Sequence, residues 1–163
     1  MVVIICGVAG AGKTTIGKLL AQELGWQFFD ADDFHSPDNI AKMKRGVALT
    51  DEDRQSWLEQ LRALIARSLD ENQNAVVACS ALKKKYRDRL RVNEQVRFIF
   101  LRGDFAAISV QLEQRRGHFM NPELLRSQFA DLEEPQSEAD AITVELGRSP
   151  NELAAEIKSR LSL

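Results

Sequence analysis

Gly7-Val8-Ala9-Gly10-Ala11-Gly12-Lys13-Thr14-Thr15 stands between the apolar, β-branched run Val2–Cys6 and a segment of helical periodicity. The spacing is G-x-x-x-x-G-K-[ST], the P-loop pattern. Glycines let successive backbone N–H groups turn inward around a polyphosphate, and the following helix aims its positive N-terminal end at the same point. Lys13 can reach the outer phosphates and the Thr14 hydroxyl can sit on Mg²⁺. The stretch Gly7–Thr15 therefore predicts a nucleotide-phosphate site, and a strand–loop–helix unit to hold it.

Outward from that loop, apolar runs alternate with helical patterns. Ile16, Leu19, Leu20 and Leu24 share one helical face, stopped by Gly25. Trp26–Phe29 reads as a second strand, Ala75–Cys79 as a third, Val96–Leu101 as a fourth and Ala141–Glu145 as a fifth. Thr50-Asp51-Glu52-Asp53 and Ser149-Pro150-Asn151-Glu152 are helix starts, each with a hydroxyl cap and acids in the first turn. The alternation predicts an α/β fold: a five-stranded parallel sheet with helices on both faces. In such sheets ligands bind beyond the carboxyl ends of the strands, where Gly7, Asp30, Asp32, Ser80 and Arg102 all fall.

The 163 residues suit one domain, 1–163. A net charge of −2 supplies no global basic field for nucleic acid or an anionic membrane. No apolar run approaches the roughly 20 residues that span a bilayer. Cys6 and Cys79 lie in apolar runs and read as buried thiols of a reducing compartment. The expected location is the cytoplasm.

Phosphoryl transfer needs positioned phosphates, Mg²⁺, an oriented nucleophile and positive charge near the moving group. Asp30 and Asp32, two apart at a strand end, put two carboxylates on one face of an extended chain. One can order Mg²⁺ and its waters while the other accepts a hydroxyl proton. Capping is the alternative for both. Ser80 ends the third strand where many P-loop proteins carry an acid, and no Asn-Lys-x-Asp base-reading motif occurs. Both absences point away from GTPases and motors, towards a small-metabolite kinase.

Lys83–Arg97 is the most basic stretch. Interleaved acids and a single aromatic, Tyr86, argue against nucleic acid. Most of these cations read as a solvated helix face, with Lys83 and Arg87 near enough to the strand end to meet a bound anion. Arg115 and Arg116, beside Gly117 and His118, read as a lid over the phosphates or as a cation-rich helix end. His35 reads as a pocket residue or a structural hydrogen-bonder. Trp57 reads as core.

On these residues the chain resembles the small gluconokinases, P-loop enzymes related in fold to shikimate and nucleoside monophosphate kinases. The resemblance runs from about Val3 to the C-terminus. It is carried by Gly7–Thr14, Phe29-Asp30-Ala31-Asp32 with His35 and Asn39, and Lys42-Met43 with Gly46. Leu49–Arg54 with Trp57-Leu58, Cys79–Lys83 with Tyr86-Arg87, Gly117-His118-Phe119 and Leu132–Pro135 complete it. Ala31 departs from the usual Gly between the acids.

The resemblance implies a P-loop kinase fold with an arginine-bearing lid and a homodimer. The implied reaction takes D-gluconate and ATP to 6-phosphogluconate and ADP, with Mg²⁺. The expected site is then Gly7, Val8, Ala9, Gly10, Ala11, Gly12, Lys13, Thr14, Thr15 and Arg115 at the nucleotide, and Thr14 with Asp30 at the metal. Asp32, His35, Arg54, Ser80, Lys83 and Arg87 are expected at the substrate. Lys13, Asp32 and Arg116 carry the chemistry, with Asp32 as base. A substrate-binding helical segment over about 32–70 and a lid over about 113–130 follow. The competing expectations are shikimate or adenylylsulfate phosphorylation and nucleotide-dependent nucleic-acid binding.

Overall fold

The computed structural model describes residues 1–114 and 122–163. Five strands, β1 Val2–Cys6, β2 Gln27–Asp30, β3 Ala75–Ala78, β4 Val96–Arg102 and β5 Ala141–Glu145, form one sheet of order β2-β3-β1-β4-β5. Every pairing is parallel. Among the described residues seven α-helices accompany them: α1 Lys13–Leu24, α2 Pro37–Lys44, α3 Asp51–Asp70, α4 Lys84–Leu90, α5 Phe105–Gln114, α6 Pro122–Asp131 and α7 Pro150–Leu161.

The period of two in the strands sorts the core into two layers. Val2, Ile4 and Cys6 of β1, with Val77, Phe98 and Phe100, pack against Trp57, Leu58, Leu61 and Ile65 of α3 and Leu90 of α4. Val3, Ile5, Val76, Ile99 and Leu101 face the other way, onto Ile16 and Leu20 of α1, Ile108 of α5 and Leu153 and Ile157 of α7. This two-sided burial is why the central strands read as unbroken apolar runs rather than alternating ones. Truncating a fully buried residue such as Leu61 to Ala would cost about 2–5 kcal/mol.

The helix ends follow their sequence signals. Gly25 closes α1 in the left-handed region at φ 66°. Thr50 and Asp53 form a reciprocal capping box at the start of α3, and Ser149 and Glu152 form another at α7.

Strand order places the site. From β1 the chain crosses to β2 on one side, and from β3 it crosses back over β1 to β4 on the other. The crevice between the carboxyl ends of β1 and β3 is thus the switch point at which ligands bind in open α/β sheets. Gly7, leaving β1, donates its N–H to the Ser80 carbonyl at 3.2 Å. That bond seats the glycine loop beside the end of β3.

Candidate active site

The glycine loop caps a cleft of about 650 Å³. Ala9, Gly10, Gly12, Lys13 and Thr14 line it. Gly7, Val8 and Ala11 lie buried beneath and shape the loop through the backbone, while Thr15 faces solvent from α1. Gly10 (φ 81°) cannot carry a side chain, because a Cβ there would meet Leu112 Cγ at 2.5 Å. Gly12 is the N-cap of α1 at φ 89°, with no side-chain cap. The first N–H groups of α1 are therefore left without a capping side chain, at the positive end of the helix. The Ala9 N–H donates to Gln128 Oε1 of α6 at 2.6 Å, and Lys13 Nζ donates to the Val8 carbonyl at 2.9 Å.

The two acids converge, by a route that differs from the expected one. Asp30 ends β2, but the chain then turns into a 3-10 helix over Ala31–Phe34 rather than staying extended. Asp30 Oδ1 caps that turn by accepting the Asp32 N–H at 3.1 Å. Its Oδ2 accepts the Thr14 hydroxyl at 2.7 Å. The capping alternative and the site reading are both true of Asp30. Asp32 projects an 84% exposed side chain and also lines the cleft. Displacement of bulk water by the surrounding walls raises its pKa, and the Asp30 charge raises it further, against the opposing pull of Lys13 and His35.

His35 follows on the same turn, with only 5% of its side chain exposed. Its ring stacks on Trp57 at 4.6 Å between centroids and 8° between planes. Its Nε2 lies 4.0 Å from Asp32 Oδ1, and its buried Nδ1 has no hydrogen-bond partner. Burial lowers the His35 pKa, Asp32 opposes this and Arg54 adds to it, so the ring is neutral at pH 7. Trp57 is both core and cleft wall: its indole Nε1 donates to the Ala31 carbonyl at 2.7 Å, which fixes the acid-bearing turn against α3. A lone Trp at a core-facing helical position gives no hint of that second role.

Arg54 lines the cleft and donates from Nη1 to the Tyr86 hydroxyl at 2.9 Å. The same hydroxyl donates to Asp51, which also pairs with Lys85. Ser80 lines the cleft at the end of β3.

Lys83 and Arg87 are corrections. Neither lines the cleft. Lys83 bridges Asp51 at 3.7 Å and Asp131 at 3.4 Å. Arg87 is 1% exposed, with its guanidinium spent on Glu138 at 2.6 Å and on the Ala81 and Leu82 carbonyls, both at 3.0 Å. Ala81 has the left-handed φ of 40°, a strained conformation for a residue with a Cβ. Arg87 thus holds the turn that carries Ser80, with its buried guanidinium committed to Glu138 and that turn and absent from the cleft lining. The sequence shows a cation near a strand end; which way it faces depends on Glu138, 51 residues away. Lys44, Arg45, Gln128 and Asp131 line the cleft and were not anticipated. Arg115, Arg116 and His118 lie outside the described residues.

The donor set fits Mg²⁺ bound with a nucleotide. Thr14 and Asp30 present a hydroxyl and a carboxylate in hydrogen-bond contact, hard oxygen ligands of the kind Mg²⁺ takes. Among the described residues no group of three or more His, Cys, Asp or Glu is placed to hold a metal. That is consistent with an ion held by one or two protein oxygens, phosphates and water.

A family model described as shikimate kinase matches residues 9–162. A "Probable gluconokinase" of Rattus norvegicus is 42% identical over 179 residues, covering 98% of this chain and 97% of that protein. The chain belongs to the gluconokinase family. It is a P-loop kinase, and the "Thermosensitive gluconokinase" of Escherichia coli K12 is 43% identical over 145 residues, 88% of this chain and 78% of that protein. The crystal structure of a gluconokinase from Sinorhizobium meliloti 1021 superposes with a TM-score of 0.85 at 35% identity, covering 98% of this chain and 94% of that one. Gluconokinase relatives thus match both the glycine-loop half and the 32–70 segment of this chain, where the cleft's second wall is built.

Proposed function

We propose that the chain transfers the γ-phosphoryl group of ATP to the 6-hydroxyl of D-gluconate, giving 6-phospho-D-gluconate and ADP. One observation carries the reading. The phosphate loop and the exposed Asp32 carboxylate open on one cleft that Arg54 also lines. A donor's phosphates and an acceptor's hydroxyl can therefore meet there.

The loop amides of residues 9–14 and Lys13 hold and orient the outer phosphates. Thr14 and Asp30 would hold Mg²⁺, which would neutralise phosphate charge. Asp32 orients the acceptor hydroxyl and takes its proton as the oxygen bonds to the γ-phosphorus and the bond to the leaving ADP oxygen breaks. Its pKa is raised above the ordinary carboxylate value, by displaced water first and by the Asp30 charge second, which makes it a better proton acceptor. His35, Arg54 and Ser80 supply the polar wall for the sugar acid. The family resemblance assigns Arg115 to the nucleotide and Arg116 to the transferring phosphoryl group, as part of a lid over about 113–130.

The basic stretch supports an enzyme over a nucleic-acid binder. Lys83, Lys84, Lys85, Arg87, Arg89 and Arg91 are each paired with a carboxylate of the chain itself. No helix among the described residues is long and apolar enough to cross a membrane. Two buried free thiols, with Cys6 pushed up to about 12 by burial, suit the reducing cytoplasm. A homodimer is part of the same proposal and rests on the family resemblance; sedimentation measures it directly.

A coupled assay of ADP release over gluconate, shikimate, adenylylsulfate and nucleoside monophosphates tests the substrate. Turnover confined to an acceptor other than gluconate overturns the reading. Steep salt-dependent retention on DNA or RNA would favour the nucleic-acid alternative.

A further inference from the structure

We propose that Lys44 and Arg45, at the C-terminal end of α2, form with Arg54 the seat for the acceptor's carboxylate, and so select sugar acids over neutral polyols. The inference rests on the gluconate reading and replaces the seat that sequence alone put at Lys83 and Arg87.

Two segments flank the acceptor half of the cleft, 42–54 and 83–91. In the first, Lys42 does not line the cleft and pairs with Asp53 at 2.6 Å. In the second, no cation lines the cleft and every one pairs with a carboxylate. Lys44, Arg45 and Arg54 do line it, and among the described residues none of them has a carboxylate partner. The chain has neutralised the cations around the cleft and left bare those that face it.

A helix C-terminus attracts cations on its own account. Here that need is already met by the backbone. The Arg45 N–H points to the Ala41, Lys42 and Met43 carbonyls, and neither the Lys44 nor the Arg45 side chain bonds to them. Three like charges in one concave wall repel each other until an anion arrives, and such a wall focuses a positive field. Arg offers a planar fork for a carboxylate and Lys a mobile point charge. The anionic Asp32 beside the phosphate loop repels a carboxylate, while the 44–54 wall attracts it. A sugar acid therefore enters with its carboxylate on the cations and its far hydroxyl at Asp32. The seat thus gives polarity as well as affinity.

The test uses the full chain with Lys44→Gln, Arg45→Gln and the double variant, and Arg89→Gln as a control on a paired cation away from the cleft. Both residues are exposed, so folding should survive. The double variant should raise KM for gluconate by on the order of tenfold or more, with kcat and the KM for ATP little changed. Its kcat/KM should lose most of its dependence on ionic strength. The preference for gluconate over glucitol, which keeps the hydroxyls and lacks the carboxylate, should narrow by the same factor. An unchanged KM and salt dependence in the double variant overturns the seat and leaves a solvated helix end. If the wild type takes a different carboxylate acceptor, the same variants are read on that acceptor. A raised KM there keeps the seat while the gluconate reading fails, and an unchanged KM overturns it. Turnover of uncharged acceptors alone overturns both.

Discussion

The Thr14 hydroxyl donates to Asp30 Oδ2 across 2.7 Å, joining the first turn of α1 to the end of β2. The two residues are 16 apart in the chain, and β1, which leads into the loop before Thr14, is separated from β2 by β3 in the sheet. Thr14→Ala should leave the fold intact and raise the Mg²⁺ concentration needed for half-maximal turnover several-fold. Asp30→Asn should do the same more strongly, since it removes a charged ligand. Metal titrations at saturating ATP and gluconate measure both; an unmoved Mg²⁺ requirement in both variants would separate this pair from the metal.

Asp32→Asn should cut kcat by ~10²–10⁴-fold if Asp32 is the base, with ATP affinity little changed. Near-normal turnover would sink the assignment. The pH profile has a definite sign. Asp32 acts deprotonated and its pKa is raised, by displaced water first and by Asp30 second. Activity should therefore fall with decreasing pH at values above the ordinary carboxylate range. Removing the Asp30 charge should lower the Asp32 pKa and shift that acid limb to lower pH. A limb that stays put in Asp30→Asn points to another titrating group.

Gln128 Oε1 occupies the Ala9 N–H that a polyphosphate oxygen would take. Gln128→Ala should tighten ADP binding by roughly two- to tenfold, the worth of one neutral hydrogen bond no longer displaced. Calorimetry with ADP reads this. Weakened binding would instead mean that Gln128 organises the loop.

Arg87→Met should act on stability and not on substrate. It leaves Glu138, whose side chain is 8% exposed, without its bidentate partner, a loss of about 3–5 kcal/mol for a broken buried pair. For a chain of this size that lowers Tm by roughly 10 °C. Burial alone would raise the Glu138 pKa, but Arg87 and Arg91 hold it below the ordinary value of 4.5. Its contribution is therefore complete above that value and fades as pH falls through the lower folded one. Acid unfolding of wild type and variant should converge at low pH. A variant with wild-type Tm but a raised KM for gluconate would restore Arg87 to the site.

Local sequence sets the elements and their kind. Continuous apolar runs mark strands buried on both faces, and Gly25, Thr50 and Ser149 set helix ends through local caps. The glycine loop and the acids Asp30 and Asp32 were legible because short spacing alone brings their groups together. The direction in which each cation faces depends on long-range packing. Lys83 and Arg87 lie near a strand end in sequence, yet Lys83 is held between Asp51 and Asp131 and Arg87 by Glu138, and neither lines the cleft. Lys44 and Arg45 look like an ordinary helix end, yet they line the cleft once α2 is tied to α3, where Asn39 Nδ2 donates to the Asp53 carbonyl at 2.7 Å. Trp57 carries a core pattern, and its stacking on His35 exists only once the 3-10 turn after β2 docks on α3. A side chain's neighbours across the chain are a property of the packed fold, whereas local spacing fixes only the face from which it starts.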